Sequence, residues 1–173
     1  MRKTRRQLSL YLPGDAGIEL EAVRRILDPI QSRLIPAHVT LCREDEISRI
    51  SESKVQDRLA NPRLRPITLR FGRPEAFSGH GVLLSCIAGE NEFRALREQL
   101  LGSREIRDPR PHITLAHPRN PKSPGNCLSN ASRLPEVTSI TFSTVRLIEQ
   151  KGSEPWRLLQ TFELPGSSGS AFS

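Results

Sequence analysis

At 173 residues the chain is long enough to bury one sizeable core and too short to make two ordinary domains the expectation. Lys and Arg number 26 against 19 Asp and Glu, a formal net charge of +7; that balance favours a polyanionic ligand such as RNA, and on charge alone it describes a basic solvated surface equally well. Cys42, Cys86 and Cys127 show no C-x-x-C spacing, which argues against a disulfide framework or a zinc ribbon, and no apolar run approaches the ~18–20 residues of a membrane span. Met1–Arg6 is basic without a signal-peptide core behind it, so a soluble, cytoplasmic monomer is expected.

In chain order, Leu8, Leu10 and Leu12 alternate with Gln7, Ser9 and Tyr11, the period of a half-buried strand. Pro13-Gly14-Asp15 turns the chain and offers Asp15 as a helix N-cap; Leu20, Val23, Leu27, Ile30 and Leu34 follow at helical spacing, with Pro29 ending or kinking that helix near Asp28. A strand is expected at about 37–43, a polar surface helix over Asp45–Ala60 and a strand over Pro66–Phe71. A further strand starts at Val82, and an amphipathic helix through Phe93, Leu96 and Leu100 is closed by Gly102. After a strand at His112 comes the Pro-rich stretch Pro118–Pro135, a long loop of the kind that is usually functional or disordered. Val137–Glu149 and Trp156–Leu164 read as a final strand pair joined around Gly152, ahead of a flexible Gly/Ser-rich tail at 166–173; residues 1–165 would form one bilobal domain.

Two of these strands carry the same tetrapeptide pattern, His38-Val39-Thr40-Leu41 and His112-Ile113-Thr114-Leu115, 74 residues apart (112 − 38). Residues i and i+2 of a strand share a face, so each His lies with its Thr on one face while the apolar neighbours take the other. The same shift carries Leu8, Leu10 and Leu12 onto Val82, Leu84 and Cys86, and Glu19, Ala22 and Ile26 onto Phe93, Leu96 and Leu100. The order strand, helix, H-x-T strand therefore occurs twice. Two similar lobes about a pseudo-twofold axis would bring the H-x-T strands side by side at a cleft. Two imidazoles and two hydroxyls there suit a phosphodiester: a neutral His as general base, a charged His as general acid, and Thr40 and Thr114 as donors to the non-bridging oxygens, without a metal or other cofactor.

These paired motifs resemble those of the two-histidine (2H) phosphoesterases, in particular the bacterial 2′-5′ RNA ligase-like and cyclic phosphodiesterase branch, over roughly residues 7–164. The resemblance implies an α+β fold, two-lobed and pseudo-twofold, with antiparallel sheets around a central cleft and helices packed outside. It also implies hydrolysis of 2′,3′-cyclic phosphate ends or 2′-5′ linkages of RNA or nucleotides, with His112 as base and His38 as acid, and with the roles exchanged for ligation. Rival expectations are a small-molecule cyclic phosphodiesterase, acting for instance on ADP-ribose cyclic phosphate, and a nucleotide- or RNA-binding module with incidental catalysis. Around the motifs, Arg43, His117 and Arg119 are candidate substrate contacts, and Tyr11 either stacks a base or is structural. Cys42, two residues beyond Thr40, would share the polar face and is read as a small buried residue. A zinc set drawn from His38, Cys42, His112 and His117 lacks any compact ligand motif.

Overall fold

The computed structural model describes residues 3–119 and 123–165. β1 (Thr4–Tyr11), α1 (Gly14–Leu27), α2 (Pro29–Leu34) and β2 (His38–Cys42) form the first half of the repeat. α3 (Glu44–Ile47), α4 (Glu52–Leu59), β3 (Ile67–Phe71) and β4 (Glu75–Phe77) connect it to β5 (Gly81–Ala88), α5 (Glu90–Leu101) and β6 (His112–Ala116). A 3-10 turn at Leu128–Ala131 then leads to β7 (Thr138–Phe142), β8 (Thr144–Lys151) and β9 (Arg157–Glu163). The tail at 166–173 and Lys122, on the Pro-rich stretch, lie outside the described residues.

Among the described residues the strands join one antiparallel sheet in the order β7-β3-β5-β6-β2-β1-β8-β9, with β4 also paired to β5. The centre of that order is β2 against β6, where Val39 faces Ile113. On either side the repeat holds residue by residue. β1 sets Leu8, Ser9, Leu10 and Tyr11 opposite Cys42, Thr40, Val39 and His38; β5 sets Val82, Leu83, Leu84 and Ser85 opposite Ala116, Thr114, Ile113 and His112. Each pairing is the other displaced by 74, and each has its register shift at the same place, Leu8/Ser9 in one and Val82/Leu83 in the other. Sequence identity between the halves is low, so the geometry repeats through the alternation of apolar and polar residues.

That shift corrects the face expected of Cys42, while its reading as a small buried residue agrees with the structure. Directly opposed residues share a face, so Cys42, opposite Leu8, turns onto the apolar side and is fully buried. Burial also pushes its thiol up to about 12. The drawn zinc set does not assemble, and among the described residues no three His, Cys, Asp or Glu side chains are grouped to hold a metal ion.

Leu8, Leu10, Val39, Leu41, Leu84, Ile113 and Leu115 form the buried face of the sheet. The helices cover it crosswise: α1, from the first half, packs on β6, and α5, from the second, packs on β2 and β3. At about 25 cal/mol per Å² of apolar area this shared core is the main favourable term, and it ties both H-x-T strands to both helices.

Four local expectations are corrected. α1 starts at Gly14 with Pro13 at the N-cap position, so Asp15 lies inside the first turn, where a carboxylate complements the helix dipole without capping. The expected helix over Asp45–Ala60 is two helices, because Ser51 accepts a hydrogen bond from the Lys54 N–H and starts a new one. The Pro-rich loop is partly packed, with Ala131 and Leu134 buried. Finally, the stretch 137–149 divides at Ser143: β7 pairs with β3 at one edge, whereas β8 pairs with β1 near the other. One residue spans at most about 3.6 Å, so the sheet must curl into a half-barrel that brings these distant strands together at Ser143. The β8–β9 hairpin around Gly152, at φ +60°, is as expected. Among the described residues no helix is long and apolar enough to cross a membrane.

Candidate active site

The polar sides of β2 and β6 open on a cleft of about 490 Å³ lined by His38, Thr40, His112, Thr114, His117 and Arg119. Both histidines are held in the same way. His38 Nδ1 lies 2.8 Å from the Pro36 carbonyl, and His112 Nδ1 lies 3.1 Å from the Arg110 carbonyl, in each case the residue two before. A carbonyl only accepts, so each Nδ1 carries a proton and each Nε2 is the ring nitrogen left for a ligand. Neutral, that nitrogen accepts a proton; charged, it donates one.

The two rings differ in surroundings. His112 is exposed, whereas His38 is partly buried. Burial pushes His38 from 6.5 down to about 4; its bond to Pro36 opposes the shift, and the positive charges of Arg24 and His112 add to it. The sign for stability follows. Above the ordinary value of 6.5 His38 is neutral folded or unfolded. As the pH falls from there toward about 4, the unfolded chain takes up the proton and the folded one resists, so stability is lost across that window. The loss should reach at most about 3 kcal/mol. Denaturant titrations between these pH values should show a shallower acid slope for His38→Gln than for wild type; parallel curves would mean that the buried ring carries no such linkage.

His117 accepts at Nδ1 from the Arg119 N–H at 3.1 Å, which leaves its Nε2 protonated and able to donate. Burial lowers its pKa, Arg119 adds to the effect, and Asp28 opposes it. Asp28 in turn accepts from the His117 N–H at 2.9 Å and caps α2 through Gln31, so the end of β6 is pinned to the α1–α2 junction.

Two candidates fall outside the cleft lining. Arg43 starts α3, its N–H bonded to Glu46 and its guanidinium 4.0 Å from Asp45. Tyr11 flanks the site: its ring centroid lies 6.2 Å from that of His38, and the Arg146 guanidinium sits 4.6 Å above it. Burial raises the Tyr11 pKa, with Arg146 opposing.

The cleft also has a wall that the motifs did not reveal, made of Arg5, Gln7, Gln150 and Trp156. Arg5 donates through Nε to Gln150 at 3.0 Å and stacks 5.2 Å over the Trp156 ring. Arg5 and Gln7 follow by alternation from Ser9 and Tyr11 and were open to that reading. Gln150 enters only because β8 pairs with β1, setting Gln150 opposite Arg5, a long-range contact with no local signal.

A model of the 2′-5′ RNA ligase superfamily matches residues 12–154, a span that includes both H-x-T strands. The chain belongs to that superfamily of 2H phosphoesterases. Solved structures sharing its fold include E. coli LigT complexed with 3′-AMP, at 18% identity and TM-score 0.57 over 93% of this chain and 98% of that one. E. coli LigT complexed with NADP+ matches at 17% identity and TM-score 0.54, covering 95% and 99% of the two chains. No curated protein sequence matches significantly.

Proposed function

We propose that the chain is a metal-independent phosphodiesterase that opens 2′,3′-cyclic phosphate ends of RNA or nucleotides, or cleaves 2′-5′ linkages, with His38 and His112 as the acid-base pair and Thr40 and Thr114 as phosphate donors. One observation carries this reading: two imidazoles on adjacent strands, each locked with Nδ1–H on a backbone carbonyl and Nε2 left for a ligand. Binding a phosphate needs charge; a matched pair of oriented proton carriers suits its chemistry. E. coli LigT has been crystallised with 3′-AMP and with ATP, which supports a nucleotide as the ligand class.

Water attacks phosphorus as one imidazole Nε2 removes its proton; the P–O bond on the opposite side breaks, and the other imidazolium gives its proton to the departing ribose oxygen. The product is a ribose phosphomonoester. The Thr hydroxyls hold the oxygens whose charge grows as the pentacovalent state forms. In the free protein the surroundings of His38 disfavour its charged form, so a pair holding one proton has His38 as base and His112 as acid. This exchanges the roles implied by family resemblance. Ligation would reverse whichever order applies.

Purified protein should therefore turn over nucleoside 2′,3′-cyclic phosphates in EDTA, with a bell-shaped pH profile. The acid limb of kcat/KM reports the free enzyme and should follow His38 to about 4. In kcat it should move to higher pH, because the bound phosphate's negative charge favours imidazolium. Activity lost in EDTA and regained with a divalent ion would overturn the metal-free mechanism. Turnover of ADP-ribose cyclic phosphate in preference to nucleotide and RNA ends would replace the substrate class, and absence of all turnover alongside tight binding would favour a binding module.

A further inference from the structure

Two arginines are almost wholly buried, Arg24 on α1 at 2% exposure and Arg97 on α5 at 1%. Both leave Nε without a hydrogen-bond partner. Burying a cation costs several kcal/mol unless its partners compensate, and a well-packed apolar residue often serves stability as well. What the arginines do instead is reach backbone. Arg24 donates through Nη2 to the Ile35 carbonyl at 2.9 Å and pairs through Nη1 with Glu21 at 2.7 Å, while Glu21 accepts from the Ala37 N–H. Arg97 donates through Nη1 to the Leu41 carbonyl and through Nη2 to the Arg107 carbonyl at 3.1 Å, and its ion pair with Glu46 measures 2.6 Å.

These contacts bracket one short segment. Ile35 and Ala37 immediately precede the first H-x-T motif; Leu41 follows Thr40, at the point where the β1–β2 register slips. Ile35 lies before the paired residues of β2 and Leu41 has no opposed residue in the β1–β2 register, so the guanidinium groups grip the strand at the two places where that register gives it no partner. The grip comes from both halves of the molecule, because α1 belongs to the first and α5 to the second. Pro36, the carbonyl that orients His38, lies between the two residues anchored by Arg24 and Glu21.

We propose that Arg24 and Arg97 are positioning residues that clamp the His38–Thr40 segment from its two ends and so set the direction of the His38 Nε2 and the Thr40 hydroxyl. This rests on the reading that these groups act on phosphate, and the test separates the two. The variants are Arg24→Met and Arg97→Met, with Arg24→Lys and Arg97→Lys as conservative partners. Arg58→Met serves as a control, since Arg58 holds the Leu100 carbonyl at 2.8 Å, outside the cleft lining. Two readouts are taken on folded protein: steady-state kinetics on a nucleoside 2′,3′-cyclic phosphate, and the ring ¹H–¹⁵N spectrum of His38.

A misplacement of about 1 Å at a reacting group costs up to about 100-fold, so kcat should fall about 10- to 100-fold in the Met variants, with KM within about threefold for Arg97→Met, whose residue lies outside the cleft lining to which Arg24 belongs. The Lys variants should recover part of it. The His38 ring signals should broaden or split as the Pro36 bond loosens, and Arg58→Met should lower thermal stability alone. Folded Met variants with wild-type kcat and an unchanged His38 ring spectrum would overturn the proposal. If the Met variants do not fold, the Lys variants and Glu21→Gln decide it by the same readouts. If the wild-type protein turns over no cyclic phosphate, the substrate reading has failed, and the His38 ring spectrum still decides whether the clamp exists.

Discussion

His38→Ala and His112→Ala should each reduce hydrolysis of a cyclic phosphate by about 10²–10⁴-fold, the contribution of one positioned proton transfer. The double variant should be little worse than the poorer single. In-line displacement needs a proton removed on one side of phosphorus and delivered on the other, so either loss stalls the same transition state and the two effects do not multiply. The fold should survive both changes. Among the described residues each ring is tied to backbone by its Nδ1 bond to the carbonyl two residues before it, and the core-forming neighbours Val39 and Ile113 are untouched. Single-turnover rates, with circular dichroism on the same samples, would check this. Near-full turnover by either single variant would sink the two-histidine mechanism, and a double variant slower by the product of the singles would mean that the rings act in separate steps.

The features most legible in the sequence were those written in alternation and written twice. Leu8, Leu10, Val39, Leu41, Ile113 and Leu115 mark one face of three strands, and a period-2 pattern repeated at a fixed offset leaves few ways to place the polar face except inward on a common cleft. Asp28, Pro29 and Gly102 marked helix ends for the same kind of reason, since capping and ring geometry act within a few residues. What was illegible depended on pairing. Cys42 changed face because of a one-residue slip against β1, and no propensity encodes a slip. The stretch 137–149 looked like a single strand because nothing local reveals that Ser143 links opposite regions of a curled sheet. Arg24 and Arg97 sit in helices whose hydrophobic spacing was recognised, but their partners, the carbonyls of Ile35 and Leu41, are set by tertiary contact.

Loss of the hydroxyl at Thr114 should cost more than loss at Thr40. Valine matches threonine in shape, so Thr40→Val and Thr114→Val each remove a donor to a charged oxygen, a bond contributing about 1.5–3 kcal/mol, or about 10- to 150-fold in rate. The halves share a register but differ in what faces each threonine. Thr40 is opposed by Ser9, whose hydroxyl is already bonded to Gln7 Nε2 at 2.8 Å, whereas Thr114 is opposed by Leu83. Directly opposed side chains in an antiparallel pair have Cβ atoms about 4.5–5.5 Å apart. Ser9, fully buried beside Thr40, can therefore offer its proton toward an oxygen that Thr40→Val abandons, whereas the side chain opposed to Thr114 is that of Leu83. The expected order of kcat is wild type, Thr40→Val, Thr114→Val, with the double variant slowest. Ser9→Ala should have little effect in wild type and should lower Thr40→Val to the level of Thr114→Val. Equal losses for the two single valine variants, unchanged by Ser9→Ala, would show that the phosphate is held symmetrically and that the difference between the halves lies outside its contacts.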